Sequence, residues 1–150
     1  MSSEVYIVGA ARTPVGSFQG ALANQSAPQL GAHAIAAAIS QAGIDASGID
    51  EVIMGNVVSA GLKQAPARQA MRQAELPDSC GATTINKVCG SGMKATMLAT
   101  DLIRAGSANT VVAGGMESMS NAPFLVDKAR AGLRMGHSQM LDALFTDGLE

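Results

Sequence analysis

The stretch NKVCGSGMKA at residues 86–95 lies between a segment typical of a β-strand and a segment typical of a helix. Residues 82–88 are rich in β-branched side chains and contain no glycine or proline, which predicts a short strand. Residues 93–104 carry few charges and predict a helix. The sequence therefore predicts a strand, a turn and a helix in succession, with Cys89 in the turn.

Cys89 is the residue of this turn that can act as a nucleophile. A thiol near a helix N-terminus meets unpaired backbone N–H groups and the positive end of the helix dipole, and both favour the thiolate. The glycines beside it leave room for an incoming carbonyl, and the backbone N–H groups nearby can receive the developing oxyanion. The alternative is a buried cysteine that packs as a small hydrophobic side chain. Position alone does not decide between the two.

The rest of the chain alternates strands with helices. Apolar runs predict further strands at 5–8, 51–58 and 110–113. Together with the helices between them, they give the order β-α-β-α-β-α-β. This order is typical of an α/β fold with helices on both faces of a sheet.

Helix ends are predicted from local signals. Ser26 with glutamine three residues later predicts a capping box, and Gly43 predicts the end of that first helix. Residues 66–75 predict a second helix, which ends before Pro77. The helix after Cys89 has apolar or small residues almost all round, so protein must cover most of its sides.

Composition excludes several classes of protein. The length of 150 residues allows one domain of ordinary size, and a charged fraction of 15% is too low for a disordered chain. A net charge of −2 offers no basic face for nucleic acid. No apolar run approaches the ~18 residues that a membrane helix needs. Residues 1–4 lack the features of a signal peptide, so we expect a cytoplasmic protein.

The two cysteines lack the spacing of a metal site, and we expect no bound metal. Cys80 is predicted to be a passive buried thiol. A Cys80–Cys89 disulfide is the alternative, which the reducing cytoplasm disfavours.

The residues around Cys89 resemble the active-site segment of the thiolases, in particular those of the acetoacetyl-CoA type. Three further segments resemble thiolase segments in the same order along the chain: VGAARTPVGSFQGAL at 8–22, IDEVIMGNVVSAG at 49–61 and VVAGGMESMSNAP at 111–123. The resemblance extends over essentially the whole chain. It implies a thiolase-like layered α/β fold with a mixed sheet.

The resemblance also implies a reaction. Cys89 would take an acetyl group as a thioester and pass it to coenzyme A or to the carbanion of a second acetyl-CoA. The binding partners would be acetyl-CoA, acetoacetyl-CoA and coenzyme A, with no separate cofactor. In the family a histidine base and a second cysteine come from motifs in the second half of the subunit, and neither motif is in this sequence. We therefore expect the chain of 150 residues to be inactive by itself.

The resemblance further implies a division of the chain. Residues 1–120 would form the α/β domain that carries the nucleophile, and residues 121–150 would begin a loop domain that contributes to a homotetramer and approaches coenzyme A. The alternative for the later segment is a solvated basic loop. Leu149 lies in a segment that resembles the family's pantetheine channel, so it is predicted to be a binding residue. The second half of the subunit would cover the apolar helix after Cys89.

Other candidates are weighed against these. His33 and His137 lie outside the family's catalytic motifs. Glu117 is either an acid hydrogen-bonded beneath the site or a surface carboxylate, and it is left out of the predicted site. Residues 90–95 also fit a dinucleotide-binding fingerprint, but the acidic residue expected after the next strand comes late. A second alternative is a thiolase-like protein that binds acyl-CoA without turnover.

Overall fold

A computed structural model describes residues 4–150. The prediction that residues 1–4 are not a signal peptide rests largely on residues 1–3, which lie outside the described residues. The centre of the protein is a parallel three-stranded sheet in the order β2-β1-β3. Its strands are β1 (Glu51–Gly55), β2 (Gly81–Ile85) and β3 (Val111–Gly115).

Three α-helices connect or precede these strands: α1 (Ala27–Ala42), α2 (Pro66–Gln73) and α3 (Ser91–Arg104). Two short strands form a separate antiparallel pair, β4 (Phe124–Val126) and β5 (Met140–Asp142). The remaining elements are 3₁₀ helices at Ala46–Gly48, Met119–Asn121 and Ala129–Ala131 and a π-helix at Phe145–Leu149. Among residues 4–150, no helix has the length and apolarity required to cross a membrane.

The predicted ends of α1 are confirmed. The Gln29 N–H donates to the Ser26 hydroxyl at 3.4 Å, and the Ser26 N–H donates to the Gln29 side chain at 2.8 Å. The helix ends at Gly43, whose φ of 64° lies in the left-handed region that glycine adopts without strain. Local capping chemistry therefore determines where this helix begins and ends.

Helices cover both faces of the sheet, as predicted. Val52 and Met54 of β1 join the buried cluster that contains Ile35 of α1 and Met71 of α2. Because side chains alternate along a strand, residues 53 and 55 face the other side of the sheet. On that side, Gly55 lies against the first residues of α3. The fold class is α/β, and β1 is the strand buried between the two helical layers.

The predicted strand at 5–8 is wrong. These residues form no strand in the structure, and the side chains of Tyr6 and Ile7 are 72% and 82% exposed. The segment is held against α1 instead, where the Ala10 N–H donates to the Gln41 side chain at 2.7 Å. Both this segment and β3 line a cavity of about 360 Å³.

Three other predictions need correction. The strand predicted at 51–58 ends at Gly55, because the N–H groups of Val57 and Val58 donate to a side-chain carboxylate instead of a strand. The strand predicted to run through residue 88 ends at Ile85, where a turn begins. The sheet is entirely parallel, whereas a mixed sheet is expected, and antiparallel pairing is confined to β4 and β5.

One face of α3 is uncovered. Ala95 and Ala99 are buried against the sheet, whereas Met93 and Met97 are 75% and 53% exposed. The uncovered face agrees with the expectation that this chain alone does not surround the helix. That the second half of the subunit covers it stays a prediction.

The N-terminus of α3 packs directly on the end of β1. A Cβ atom added to Gly55 would lie 2.5 Å from the Cβ of Ser91 and 2.9 Å from the Gly92 nitrogen. Such distances are far inside van der Waals contact, and backbone atoms cannot rotate away. Only glycine at residue 55 allows α3 to begin where it does.

Replacing Gly55 with alanine should therefore lower the free energy of unfolding by about 3 kcal/mol, the upper end of the usual cost of overpacking. Gly48→Ala is the matched control, because the nearest atom to its added Cβ is 3.8 Å away. The control should change stability by less than about 0.5 kcal/mol. Urea denaturation measures both, and equal stability of the two variants would contradict the packing argument.

Candidate active site

The carboxyl ends of the three parallel strands meet at one edge of the sheet. Gly55 of β1 is in register with Ile85 of β2 and with Gly115 of β3. Ligands of open parallel sheets bind at this edge, where neighbouring connections diverge. A cleft of about 360 Å³ lies here and is lined by both predicted site residues, Cys89 and Leu149.

A network of local hydrogen bonds forms the turn that carries Cys89. The Val88 N–H donates to the Asn86 side chain at 2.9 Å, which ends the strand in an Asx-type turn. The buried Ser91 hydroxyl accepts from the Lys87 N–H at 2.8 Å and donates to the Val88 carbonyl at 2.6 Å. Ser91 thus joins the start of α3 to the two residues that precede Cys89.

Val88 shows that this turn is strained. Its φ is 49°, a left-handed conformation that is rare for β-branched residues. Strain of this kind persists only where surrounding contacts enforce it, and it concentrates at functional sites. Here the two Ser91 hydrogen bonds hold the turn, so Cys89 occupies a sharply defined position directly before the helix.

The thiol of Cys89 is exposed and free. It precedes the first turn of α3, whose N–H groups have no acceptor within the helix and carry the positive end of the dipole. Gly92 of that turn also lines the cleft. The arrangement is suited to a thiolate nucleophile with oxyanion-stabilising donors beside it.

Glu117 lines the cleft, is half-buried and receives three hydrogen bonds. Its carboxylate accepts from the Asn56 side chain at 2.8 Å, from the Val57 N–H at 3.0 Å and from the Val58 N–H at 3.1 Å. Burial raises the pKa of the Glu117 carboxyl, while the backbone donors of Val57 and Val58 lower it. The hydrogen bonds favour the alternative of a hydrogen-bonded acid, and Glu117 joins the end of β3 to the residues that follow β1.

Leu149 belongs to the π-helix at Phe145–Leu149. A Cβ atom added to the preceding Gly148 would lie 3.0 Å from a methyl carbon of Val58, so the π-helix and Val58 are in close contact. Leu149 remains 56% exposed on the open side. Val57, Val58 and the π-helix thus form one contiguous part of the cleft lining.

Several other candidates lie away from the cleft. His33 and His137 are exposed and are not among the residues that line it. Cys80 is 2% exposed, which confirms the prediction of a buried thiol, and both cysteines are free. Burial raises the pKa of the Cys80 thiol. Within residues 4–150, no group of three or more histidine, cysteine or acidic side chains is placed to hold a metal ion.

Sequence reasoning missed Val57, Val58, Met119 and Leu144, which also line the cleft. The two valines were assigned to the strand predicted at 51–58, because the apolar sequence does not indicate that the strand ends at Gly55. Their location directly after β1 was the available signal, since residues after parallel strands collect at one edge of the sheet. Met119 was interpreted as a core methionine instead of part of a ligand surface, and Leu144 carried no comparable signal.

Residues 5–150 match the family model of the thiolase N-terminal domain. The chain belongs to the thiolase family. It is 55% identical over 144 residues to acetyl-CoA acetyltransferase of Escherichia coli, with 95% of this chain and 36% of that protein covered. It is 53% identical over 146 residues to acetyl-CoA acetyltransferase of Pseudomonas aeruginosa, with 97% of this chain and 37% of that protein covered.

A solved thiolase has the same fold. The crystal structure of Acat5 thiolase from Ascaris suum in complex with coenzyme A superposes with a TM-score of 0.92 at 46% identity, over 96% of this chain and 37% of that chain. The thiolase resemblance drawn from four short segments is confirmed. The chain spans about 37% of the length of the relatives that it matches.

The contrast between the two cysteines of this thiolase chain is testable. Iodoacetamide at near-neutral pH should modify Cys89 well ahead of Cys80, because Cys89 is exposed whereas Cys80 is buried with a raised pKa. Peptide mass mapping over time measures the two rates. Urea-denatured protein is the control, in which both should react at similar rates. Equal labelling in the folded protein would contradict the assignment of Cys89 as the accessible thiol.

Proposed function

We propose that this chain carries the acyl-accepting cysteine of an acetyl-CoA acetyltransferase, with Cys89 forming an acetyl thioester. The observation that carries the proposal is the position of Cys89, exposed in a strained turn before α3 and lining the cleft at the strand ends. Relatives that are 53–55% identical to the chain bear the name acetyl-CoA acetyltransferase, which supports the same reaction class.

The chemistry follows from the reactivity of a thiolate. In the cleavage direction, the Cys89 sulfur attacks the keto carbonyl of acetoacetyl-CoA, and the oxyanion develops beside the first turn of α3. The carbon–carbon bond then breaks, the acetyl group stays on sulfur, and the departing enolate is protonated to acetyl-CoA. The thiol of coenzyme A attacks the acetyl thioester, which releases a second acetyl-CoA and restores the thiolate.

Thioester exchange keeps this cycle reversible. An acetyl thioester on Cys89 and the thioester of acetyl-CoA are similar in energy, so neither direction is trapped. In synthesis, the carbanion of a second acetyl-CoA collects the acetyl group from Cys89. The same residue therefore serves both directions, and no separate cofactor is required.

The proposed ligands are acetyl-CoA, acetoacetyl-CoA and coenzyme A. The solved thiolase that this chain resembles is described as a complex with coenzyme A, which supports a coenzyme A ester in the cleft. Leu149 lines the same cleft as Cys89 and is proposed to contact the pantetheine arm. A homotetramer built with residues 121–150 and a cytoplasmic location stay predictions.

Replacing Cys89 with serine tests the central claim. In the full-length enzyme that contains this chain, turnover should fall roughly a thousandfold or more, because a hydroxyl is a far weaker nucleophile. Incubation with acetyl-CoA followed by mass spectrometry should place an acetyl group on Cys89 of the unsubstituted enzyme. Cys80→Ser is the matched control and should keep turnover. Acetylation elsewhere, or full activity of Cys89→Ser, would overturn the proposal.

Substrate preference is part of the same experiment. The residues before and after Cys89 resemble the acetoacetyl-CoA branch, so kcat/KM should be higher for acetoacetyl-CoA than for longer 3-oxoacyl-CoA esters. Comparable values for a long-chain ester would contradict the assignment to that branch while leaving the role of Cys89 intact. Stoichiometric binding of acetyl-CoA without any turnover would favour the acyl-CoA-binding alternative.

We further propose that residues 1–150 are inactive by themselves, because the base and the second cysteine come from sequence outside them. The exposed Met93 and Met97 of α3 would then be covered by that additional sequence. Expression of residues 1–150 alone should yield a self-associating protein without thiolysis activity, as measured by sedimentation and a coenzyme A-dependent assay. Replacing both methionines with lysine should reduce self-association without restoring activity. A monomer with ordinary turnover would refute this boundary of the active site.

A further inference from the structure

The half-buried carboxylate of Glu117 has no role in the acyl-transfer cycle described above. All three of its hydrogen-bond partners are donors on the residues that follow β1: the side chain of Asn56 and the N–H groups of Val57 and Val58. These groups are 59–61 positions from Glu117 in sequence. Glu117 therefore connects two strand ends that the sheet brings together.

The connected residues form one wall of the cleft. Val57 and Val58 both line it, and Val58 is 7% exposed. A methyl carbon of Val58 lies 3.0 Å from where a Cβ atom would stand on Gly148, so Val58 supports the π-helix that carries Leu149. A shift of the Val57–Val58 backbone would move this wall and the contact beneath Leu149.

The Cys89 turn is held by different groups. Its hydrogen bonds run between Ser91, Lys87 and Val88 and involve no atom of Glu117. The nucleophile turn and the wall formed by Val57 and Val58 thus have separate hydrogen-bond supports. Each can be changed without removing a hydrogen bond from the other.

We propose that Glu117 is a positioning residue, whose carboxylate sets the cleft wall formed by Val57, Val58 and Leu149 and thereby determines how tightly the coenzyme A ester binds. The proposal rests on the proposed function and extends it to a residue that does not touch the reacting atoms. According to this proposal, Glu117 affects how tightly the ester binds and does not affect the reactivity of Cys89.

A glutamine at position 117 has nearly the same shape as glutamate but cannot accept all three hydrogen bonds. One carboxylate oxygen accepts from Asn56 and Val58 and the other from Val57, so either orientation of a glutamine amide turns its NH₂ toward a donor. Asn56 cannot rotate its amide to compensate, because the same nitrogen also donates to the Met116 carbonyl at 3.1 Å. Glu117→Gln therefore displaces the wall with almost no change in volume.

The experiment compares Glu117→Gln with the unsubstituted full-length enzyme that contains this chain. KM for acetoacetyl-CoA and the dissociation constant for coenzyme A should each rise about tenfold, the effect of losing one charge-assisted hydrogen bond. The value of kcat should change less than about threefold, and the rate of Cys89 alkylation by iodoacetamide should stay within about twofold of the reference. A general loss of structure would instead change kcat and the alkylation rate together with KM.

Glu51→Gln is the matched control. Glu51 lies at the opposite end of β1, where its carboxylate accepts from the Thr83 hydroxyl at 2.7 Å, far from the strand ends that form the cleft. The same substitution there should leave KM, kcat and Cys89 alkylation unchanged. An equal rise in KM in both variants would overturn the proposal.

If Glu117→Gln does not fold, Val58→Ala tests whether this wall of the cleft controls binding of the ester. It keeps the carboxylate hydrogen bonds and removes only the side chain that supports Gly148, so KM should rise while Cys89 alkylation stays constant. An unchanged KM in a folded variant, or a parallel change of KM and Cys89 alkylation, would refute the positioning role. Absence of both turnover and coenzyme A binding in the unsubstituted enzyme would instead refute the proposed function.

Discussion

The close approach of α3 to β1 is the constraint on which the site depends. At Gly55 there is no space for a side chain, because the first residues of α3 occupy it. This contact brings the N-terminus of α3 to the carboxyl edge of the central strand. The turn before the helix, with Cys89, must then project over the same edge where the residues after β1 and β3 emerge. A bulkier residue at position 55 would separate the nucleophile from its cleft.

Two hydrogen-bond clusters use this arrangement in different ways. Ser91 acts within a few residues and keeps Val88 in a conformation that a β-branched residue seldom adopts. Glu117 acts between strands and replaces the sheet hydrogen bonds that Val57 and Val58 would otherwise make. In both clusters, a side chain with restricted solvent access is hydrogen-bonded to backbone groups, so removing it would leave those groups without partners. One cluster defines the position of the nucleophile, and the other supports the part of the cleft lining formed by Val57 and Val58.

Much of the fold could be predicted from the sequence, but the ends and pairing of strands could not. The α/β class, the start of α1 at a capping serine and its end at Gly43 were correct. The strand at 5–8 was wrong, because an apolar run shows that a segment can pair and does not show which edge is available to it. Within the site, Cys89 and Leu149 were identified from resemblance to the thiolases, whereas the cleft wall at Val57 and Val58 was not.

The sequence by itself determined features that depend on residues within a few positions of each other. The cap of α1, the turn around Cys89 and the membership in the thiolase family all belong to this group, because each is encoded in short continuous segments. Only the tertiary structure decided that the Glu117 carboxylate accepts a hydrogen bond from Val57, sixty residues away, and that Leu149 shares a cleft with Cys89. The physical reason is that such contacts depend on strand order and register, which local propensities do not specify.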